Sequence, residues 1–341
     1  MPAAAGEAER SEVPLICFTV FAPAAAGASL FALPLGGGRA LAAIVVLMVT
    51  TGMLASIAHL ARPLRAPRSL AHLGSSWLSR EILVVSAFWA LAALWLICEL
   101  GGAGAFGDTA GAAIFSGAAV ADSSAAFTAG SGVADAAAAS VFPLAAAACG
   151  FHVAAIVVGA VLLWVIARAY RVHGQPAWDG SDTFWELVAG ALGSGGAVAA
   201  AVAAGQGIAG FGGTLPLMLL GVVVLISLAS SSALIRFASG RRMRRVGELA
   251  DRERTPRALA ARDTLTAGEP RLYRRFNAVA IALALATLCV GLLPLLGGLT
   301  AIATSIALAF SALSELVAQA SLRNRFYSLA QHARFAAVAR R

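Results

Sequence analysis

Long apolar stretches alternate with shorter polar segments along the whole chain of 341 residues. A helix needs about 20 mostly apolar residues to cross a hydrocarbon core of about 30 Å. Eight stretches satisfy this requirement, near residues 14–34, 40–60, 82–100, 143–168, 184–204, 214–236, 277–296 and 299–319. The pattern predicts an all-α integral membrane protein, a bundle of eight transmembrane helices that forms a single membrane domain over residues 1–341.

Two segments between these spans differ sharply in composition. Residues 101–140 are rich in Gly, Ala and Ser and carry three aspartates but no basic residue, which predicts a flexible loop or a partial re-entry into the membrane. Residues 237–275 instead contain a dense arginine run that includes residues 241, 242, 244 and 245. We expect this second segment to be a soluble basic loop.

The distribution of charge predicts an orientation. The chain is 60% hydrophobic and 12% charged, and its arginines, apart from Arg39, fall in or beside segments on one side of the predicted bundle. Arginine and lysine collect on the cytoplasmic side of membrane proteins. We therefore expect a multi-pass protein of a bacterial or archaeal cytoplasmic (inner) membrane, with both termini in the cytoplasm.

Candidate chemistry lies where the second span ends and the third begins. A helical hairpin would return His59 and Glu81 to the same interface, where an ionisable side chain is costly unless it is paired or hydrated. Histidine titrates near physiological pH, and a neighbouring carboxylate orients its ring and favours its charged form. Such a pair suits proton exchange with a quinol whose tail lies in lipid. Alternatively, His59 reaches the interfacial water and Glu81 is a first-turn acid that favours the helix dipole.

Several motifs carry a resemblance to a known family. The stretches PLICFTVFAPAAAGASLFAL (14–33), HLARPLRAPRSL (59–70) and SSWLSREI (75–82) resemble the opening of the membrane-anchor subunits of anaerobic dimethyl sulfoxide reductases. WVIARAYRV (164–172) resembles the end of the family's fourth helix, and SELVAQASLRNRFYSL (314–329) resembles its C-terminal motif.

The resemblance implies an anchor that binds and oxidises menaquinol and passes electrons to a four-cluster iron–sulfur subunit, which feeds a molybdopterin catalytic subunit. It places His59 and Glu81 in the menaquinol site as catalytic residues, with Arg65 in support. It also implies that haem, iron–sulfur clusters and other metals are absent from this chain, and that its other contacts are with membrane lipid rather than nucleic acid. Near the C-terminus, Gln319 stands where an arginine is expected after Glu315, and Arg323 follows one helical turn later.

Two other functions remain open at the level of sequence. A secondary transporter is suggested by the glycine-broken fifth span, residues 191–196, and by His152 inside the fourth span, because transporters combine discontinuous helices with ionisable groups at depth. A passive tether without quinol chemistry is the other possibility. A haem with two axial histidines is disfavoured because no second deep histidine accompanies His152.

Overall fold

The computed structural model describes residues 12–35, 38–59, 72–101, 132–171, 177–178, 180–205, 214–266, 270–291 and 297–338. Within these ranges the chain is helical and contains no strand. The helices are α1 (Val13–Leu35), α2 (Gly38–His59), α3 (Trp77–Gly101), α4 (Gly132–Ala169), α5 (Asp182–Gly190), α6 (Gly196–Gly205), α7 (Thr214–Glu253), α8 (Pro256–Thr266), α9 (Arg271–Gly291) and α10 (Gly297–Val338). A π-helical turn, Ala191–Gly195, joins α5 to α6.

The prediction of an all-α membrane bundle is confirmed. Within the described ranges, eight helical segments are long and apolar enough to cross a membrane. The fifth of them is Asp182–Gly205, which combines α5, the π-turn and α6 into one span. The glycine-rich stretch that loosens this span in the sequence therefore forms a wider helical turn rather than a break.

The third span begins earlier than the apolar pattern predicted. Helix α3 starts at Trp77 instead of residue 82, because the Ser76 hydroxyl accepts a hydrogen bond from the backbone N–H of Ser79 at 3.3 Å and caps the helix. Glu81 consequently lies in the second turn of α3, and the interpretation of this residue as a first-turn acid is wrong. The polar side chains in the first turns of α3 lower the local hydropathy, so the hydrophobic pattern does not include this start.

The arginine-rich segment 237–275 is mostly helical, contrary to the predicted loop. Helix α7 continues through the arginine run to Glu253, and α8 follows after Arg254, whose φ of 50° breaks the helix. The extension forms because it is amphipathic, with side chains buried at helical spacing at residues 235, 238, 242, 246 and 250. The predicted loop 101–140 lies mainly outside the described residues, and α4 begins at Gly132.

Helix α1 and the fifth span form the centre of the bundle. Helix α1 contacts α2, α4, α5, the π-turn, α6 and α10. The approach is closest at Gly27 and Gly195, where an added Cβ on Gly27 would lie 1.8 Å from the Ala191 carbonyl oxygen. Small residues permit such backbone contact where lipid provides little hydrophobic drive between helices.

Neighbouring helices run antiparallel and bring the arginine-bearing helix ends together. Trp77 contacts Trp164 at a centroid distance of 5.4 Å, whereas Trp95, farther along α3, stacks on His152 at 4.0 Å. Helices α3 and α4 therefore run in opposite directions. The end of the bundle that holds the start of α3, the end of α4 and the arginine run of α7 is called the arginine-rich end below.

Candidate functional site

Glu81 is a buried carboxyl group near the arginine-rich end. Glu81 is only 6% exposed and lies one helical turn after Trp77, on the same face of α3. Within the described part of the protein, no hydrogen bond or ion pair to this group is found. A buried carboxyl group in a membrane helix is costly unless it is paired, hydrated or protonated, which makes Glu81 a candidate site residue.

Two tyrosines lie within electrostatic reach of Glu81. The Tyr327 hydroxyl on α10 donates to the Tyr170 hydroxyl at 2.8 Å and lies 3.5 Å from Thr19 Oγ1 on α1. Burial, followed by the charges of Tyr327 and Glu81, raises the pKa of Tyr170 well above its ordinary value. Tyr170 is therefore a neutral hydrogen-bonding phenol at physiological pH. Both tyrosines lie inside the stretches that carried the family resemblance, yet no sequence pattern indicated that they meet.

Aromatic and cationic groups surround the start of α3. The guanidinium carbons of Arg80 and Arg168 lie 4.4 and 4.9 Å from the centroid of the Trp77 ring. Arg80 also donates to the carbonyl oxygens of Leu73 and Gly74, which fixes the segment that leads into α3. The Nε of Arg168 is buried and has no hydrogen-bond partner within the described residues, so one donor near this site remains available.

The predicted partners of Glu81 are only partly described. His59 is the last residue of α2, and its side chain lies outside the described residues, as does Arg65 entirely. Helices α2 and α3 do pack together, and the Trp89 indole N–H donates to Thr50 Oγ1 at 2.9 Å. The structure thus places the end of α2 and the start of α3 at the arginine-rich end, while the pairing of His59 with Glu81 stays a prediction.

A second buried cluster joins α5, α7 and α10. Glu186 accepts a hydrogen bond from Arg242 Nη1 at 2.6 Å and pairs with Arg323 Nη1 at 3.7 Å. Both guanidinium groups also lie near the Phe326 ring, at 5.5 and 5.8 Å from its centroid. Arg323, which follows the expected arginine position by one turn, therefore balances Glu186. Sequence reasoning did not identify Glu186 or Arg242 as members of a buried cluster.

A cavity of about 270 Å³ borders this cluster. Its wall includes Glu186, Arg242 and Arg325 together with apolar side chains from α7, α8 and α10. Arg325 donates to the backbone carbonyl of Leu265 at 3.2 Å, which ties α10 to α8. The short helix α8 thus closes the arginine-rich end over the ion pairs.

His152 lies away from these groups, toward the opposite end of the bundle. Its Nε2 is 2.7 Å from the Ser29 carbonyl oxygen, and its ring stacks on Trp95 with an interplanar angle of 2°. The Trp95 indole N–H in turn donates to Glu99 at 3.1 Å. This buried histidine therefore has a backbone partner on α1 and an aromatic neighbour. In the described ranges, no group of three or more His, Cys, Asp or Glu side chains could hold a metal ion.

Comparison with known proteins gives a match at the start of the sequence. Residues 7–104 match the family model described as DMSO reductase anchor subunit (DmsC). In Haemophilus influenzae, one polypeptide of the anaerobic dimethyl sulfoxide reductase is 38% identical over 101 residues, an alignment that covers 26% of the present protein and 36% of that relative. The resemblance indicated by the motifs is confirmed over α1 to α3, where this protein is similar to the dimethyl sulfoxide reductase anchor subunits.

Proposed function

We propose that this protein is the membrane anchor of a dimethyl sulfoxide reductase type of complex and oxidises menaquinol at the arginine-rich end. The observation that carries the proposal is the buried carboxyl group of Glu81, in a helix that lies within the family match at residues 7–104. The electrons would pass to a four-cluster iron–sulfur subunit and then to a molybdopterin catalytic subunit.

The residues around Glu81 suit a ring that must lose protons. Oxidation of a quinol releases two electrons and two protons, so its site needs a proton acceptor in contact with lipid-soluble substrate. In this proposal His59 accepts the two protons one after the other, and Glu81 orients the imidazole or relays each proton onward. Trp77 supplies an apolar aromatic wall, and Tyr170 is a neutral hydrogen-bonding phenol whose pKa burial raises further above physiological pH. Arg65 supports the ring oxygens or the geometry of the site.

The arginine-rich end is the proposed docking face for the iron–sulfur subunit. Electron transfer requires that the acceptor lie close to the quinol, and Glu81 lies near this end of the bundle. The positive-inside rule further assigns this end to the cytoplasm, in a cytoplasmic membrane, with both termini on the same side. The exposed arginines at the end of α7 would then contact the partner or lipid headgroups.

Paired substitutions in the assembled complex test the proposal. We expect His59→Gln and Glu81→Gln each to lower menaquinol-dependent reduction by about 10²-fold or more, the usual contribution of a general acid or base. His72→Gln and Glu99→Gln are the matched controls, because His72 is exposed before α3 and Glu99 lies at the far end of the same helix. Iron and molybdenum that purify with each variant report whether the complex has assembled.

The possible outcomes separate the candidate functions. Normal assembly together with full menaquinol-dependent rates in both variants would contradict a quinol site at Glu81 and leave a passive tether. A protein that purifies from anaerobically grown cells without iron, molybdenum and menaquinone would contradict the anchor function. Loss of activity in the control variants to the same extent would show that the assay reports general damage to the bundle.

A further inference from the structure

Glu315 is a second buried carboxyl group, remote from Glu81. It is 0% exposed and lies on α10, on the same face as Gln319, Arg323 and Tyr327 at successive four-residue intervals. Twelve residues of helix separate it from Tyr327, which corresponds to about 18 Å along the helix axis. The group therefore lies deep in the membrane, well inside the arginine-rich end.

Among the residues that the structure describes, the hydrogen-bond partners of Glu315 are all neutral. Gln319 Nε2 donates to its Oε1 at 2.7 Å, and Asn277 Nδ2 on α9 donates to its Oε2 at 3.0 Å. Ser231 on α7 is a further hydrogen-bond partner, and Ser232 donates to Asn277 Oδ1 at 3.2 Å. None of these contacts supplies a positive charge to balance a carboxylate.

The nearest charged groups on the surrounding helices are already engaged with one another. Glu186 on α5 pairs with Arg242 on α7 and with Arg323 on α10, two turns from Glu315 along the same helix. On α9, the arginines occupy the first turns, toward the arginine-rich end, whereas Asn277 faces Glu315. Since an unpaired carboxylate is costly at this depth, a bound proton would remove the charge.

The π-turn covers the carboxyl group closely. A Cβ added to Gly193 would lie 2.7 Å from both Glu315 Oε1 and Ser231 Oγ, so the bare glycine backbone packs directly on the cluster. Single π-helical turns within α-helices are frequent at functional sites. This contact leaves little space for a hydrated ion, whereas a proton needs none.

Unpaired hydroxyl groups continue from the cluster toward the opposite end of the bundle. Ser227 lies one turn from Ser231 on α7, and Ser194 lies in the π-turn beside Gly193. Both hydroxyl oxygens are buried and have no hydrogen-bond partner among the described residues. A serine hydroxyl can donate and accept at once but passes a proton only along a hydrogen bond, so transfer from Ser231 to Ser227 requires one hydroxyl to rotate toward the other.

We propose that Glu315 is an intramembrane proton-binding site, distinct from the quinol site, which exchanges its proton through Ser231, which hydrogen-bonds to it, and Ser227, one turn farther along α7. The step is a simple protonation: a proton adds to a carboxylate oxygen to give the neutral acid and leaves by the same bond. No electron moves, and the inference does not rest on quinol oxidation by this protein.

Infrared spectroscopy of the full-length protein in lipid bilayers tests the proposal. We expect a carbonyl stretch of a protonated carboxyl group that shifts on transfer to D₂O and is lost in Glu315→Gln. Glu81→Gln is the matched control, because it removes another buried carboxyl group and should leave the Glu315 band in place. Ser231→Ala should shift the frequency of that band, since it removes a hydrogen bond to the carboxyl group while keeping Glu315 itself.

The exchange kinetics test the proposed route. We expect Ser227→Ala combined with Ser231→Ala to slow the D₂O-induced shift relative to Ser29→Ala, which changes a buried serine whose hydroxyl donates to the Ala26 carbonyl in its own helix. A wild-type spectrum without a band that depends on Glu315 would overturn the proposal and show a permanently ionised structural group. Equal exchange rates in the double variant and its control would overturn the hydroxyl route.

Discussion

Gly27→Ala should separate the two most central parts of the bundle, α1 and the π-turn. The added Cβ would lie 1.8 Å from the carbonyl oxygen of Ala191 and 2.5 Å from its carbonyl carbon. Real Cβ contacts essentially never fall below 3.0 Å, so the two backbones must move apart by at least 1.2 Å, the difference between 3.0 and 1.8 Å. Because the obstructing atoms belong to a backbone, no change of rotamer relieves the clash.

The magnitude follows from the contact that would be lost. Overpacking a buried site typically costs about 1–3 kcal/mol, and a gap of about 1 Å forfeits up to half of each van der Waals attraction along the interface. Gly27→Ala lies at the upper end because α1 also contacts α5 and α6 beside the π-turn. We expect the free energy of unfolding to fall by about 3 kcal/mol or more.

Gly150→Ala is the matched control for this experiment. Gly150 lies within α4, and a Cβ at this position would meet no atom within 4 Å. Replacement of a helical glycine by alanine at an open position stabilises by about 0.5–1 kcal/mol. Detergent-induced unfolding of both variants, followed by circular dichroism, measures the difference. Equal stabilities for Gly27→Ala and Gly150→Ala would refute the close contact between α1 and the π-turn.

Three further substitutions test the buried polar groups. Glu186→Gln should lower the free energy of unfolding by about 3–5 kcal/mol, since two buried guanidinium groups lose their counterion. The control Asp251→Asn breaks an exposed ion pair and should cost less than about 1 kcal/mol. Equal losses in the two variants would contradict the burial of the Glu186 ion pairs. His152→Phe keeps an aromatic ring on Trp95 but loses the contact with the Ser29 carbonyl. We therefore expect the free energy of unfolding to fall by about 1–3 kcal/mol in the same assay. An unchanged free energy of unfolding would contradict the hydrogen bond between His152 and Ser29. Above a pH of about 10 the unfolded protein ionises its tyrosines while Tyr170 in the folded protein stays neutral, so the free energy of unfolding should fall as the pH rises. This fall should be less steep in Tyr170→Phe. Identical alkaline unfolding curves for the wild type and Tyr170→Phe would refute this reasoning.

Hydrophobic periodicity was sufficient to predict the number and type of the spans, because eight runs of apolar residues have no other stable arrangement in a bilayer. It failed where polar residues enter a helix. The start of α3 depends on a capping hydroxyl at Ser76, and the extension of α7 depends on a buried stripe within an arginine-rich sequence. Both features arise from local helix chemistry and tertiary burial rather than from mean hydropathy.

From the sequence, the site could be predicted only where its residues lie on helices that follow each other in the chain. Glu81 follows from the motif and from its position after a polar segment, but Tyr170 and Tyr327 are 157 residues apart and meet through the packing of α10. Likewise, Glu186 lies 56 residues from Arg242, and nothing in either segment specifies the other. Contacts between distant helices depend on the complete bundle, for which a single sequence carries no direct signal.

Arg323 divides the two buried carboxyl groups and thereby determines where protons can move. Along α10, Arg323 lies one turn before Tyr327, the tyrosine near Glu81, and two turns after Glu315. With Arg242 and Glu186 it forms a cluster of two positive charges and one negative charge, so one positive charge is in excess. Glu315 lies eight residues, or about 12 Å, from Arg323 along the helix. At that distance and an effective dielectric constant of about 20, the excess charge repels a proton by about 1.4 kcal/mol, or about tenfold in rate.

This barrier would keep protons released at Glu81 from reaching Glu315. On the proposed function, those protons leave toward the arginine-rich end, and Glu315 exchanges with the opposite side. We therefore expect Arg323→Gln to increase proton leakage through the protein in liposomes, whereas Arg262→Gln, which removes an exposed arginine from α8, should leave the leakage unchanged. Equal leakage in the two variants would show that the excess charge does not separate the two carboxyl groups, and that the apolar packing between them is itself the barrier.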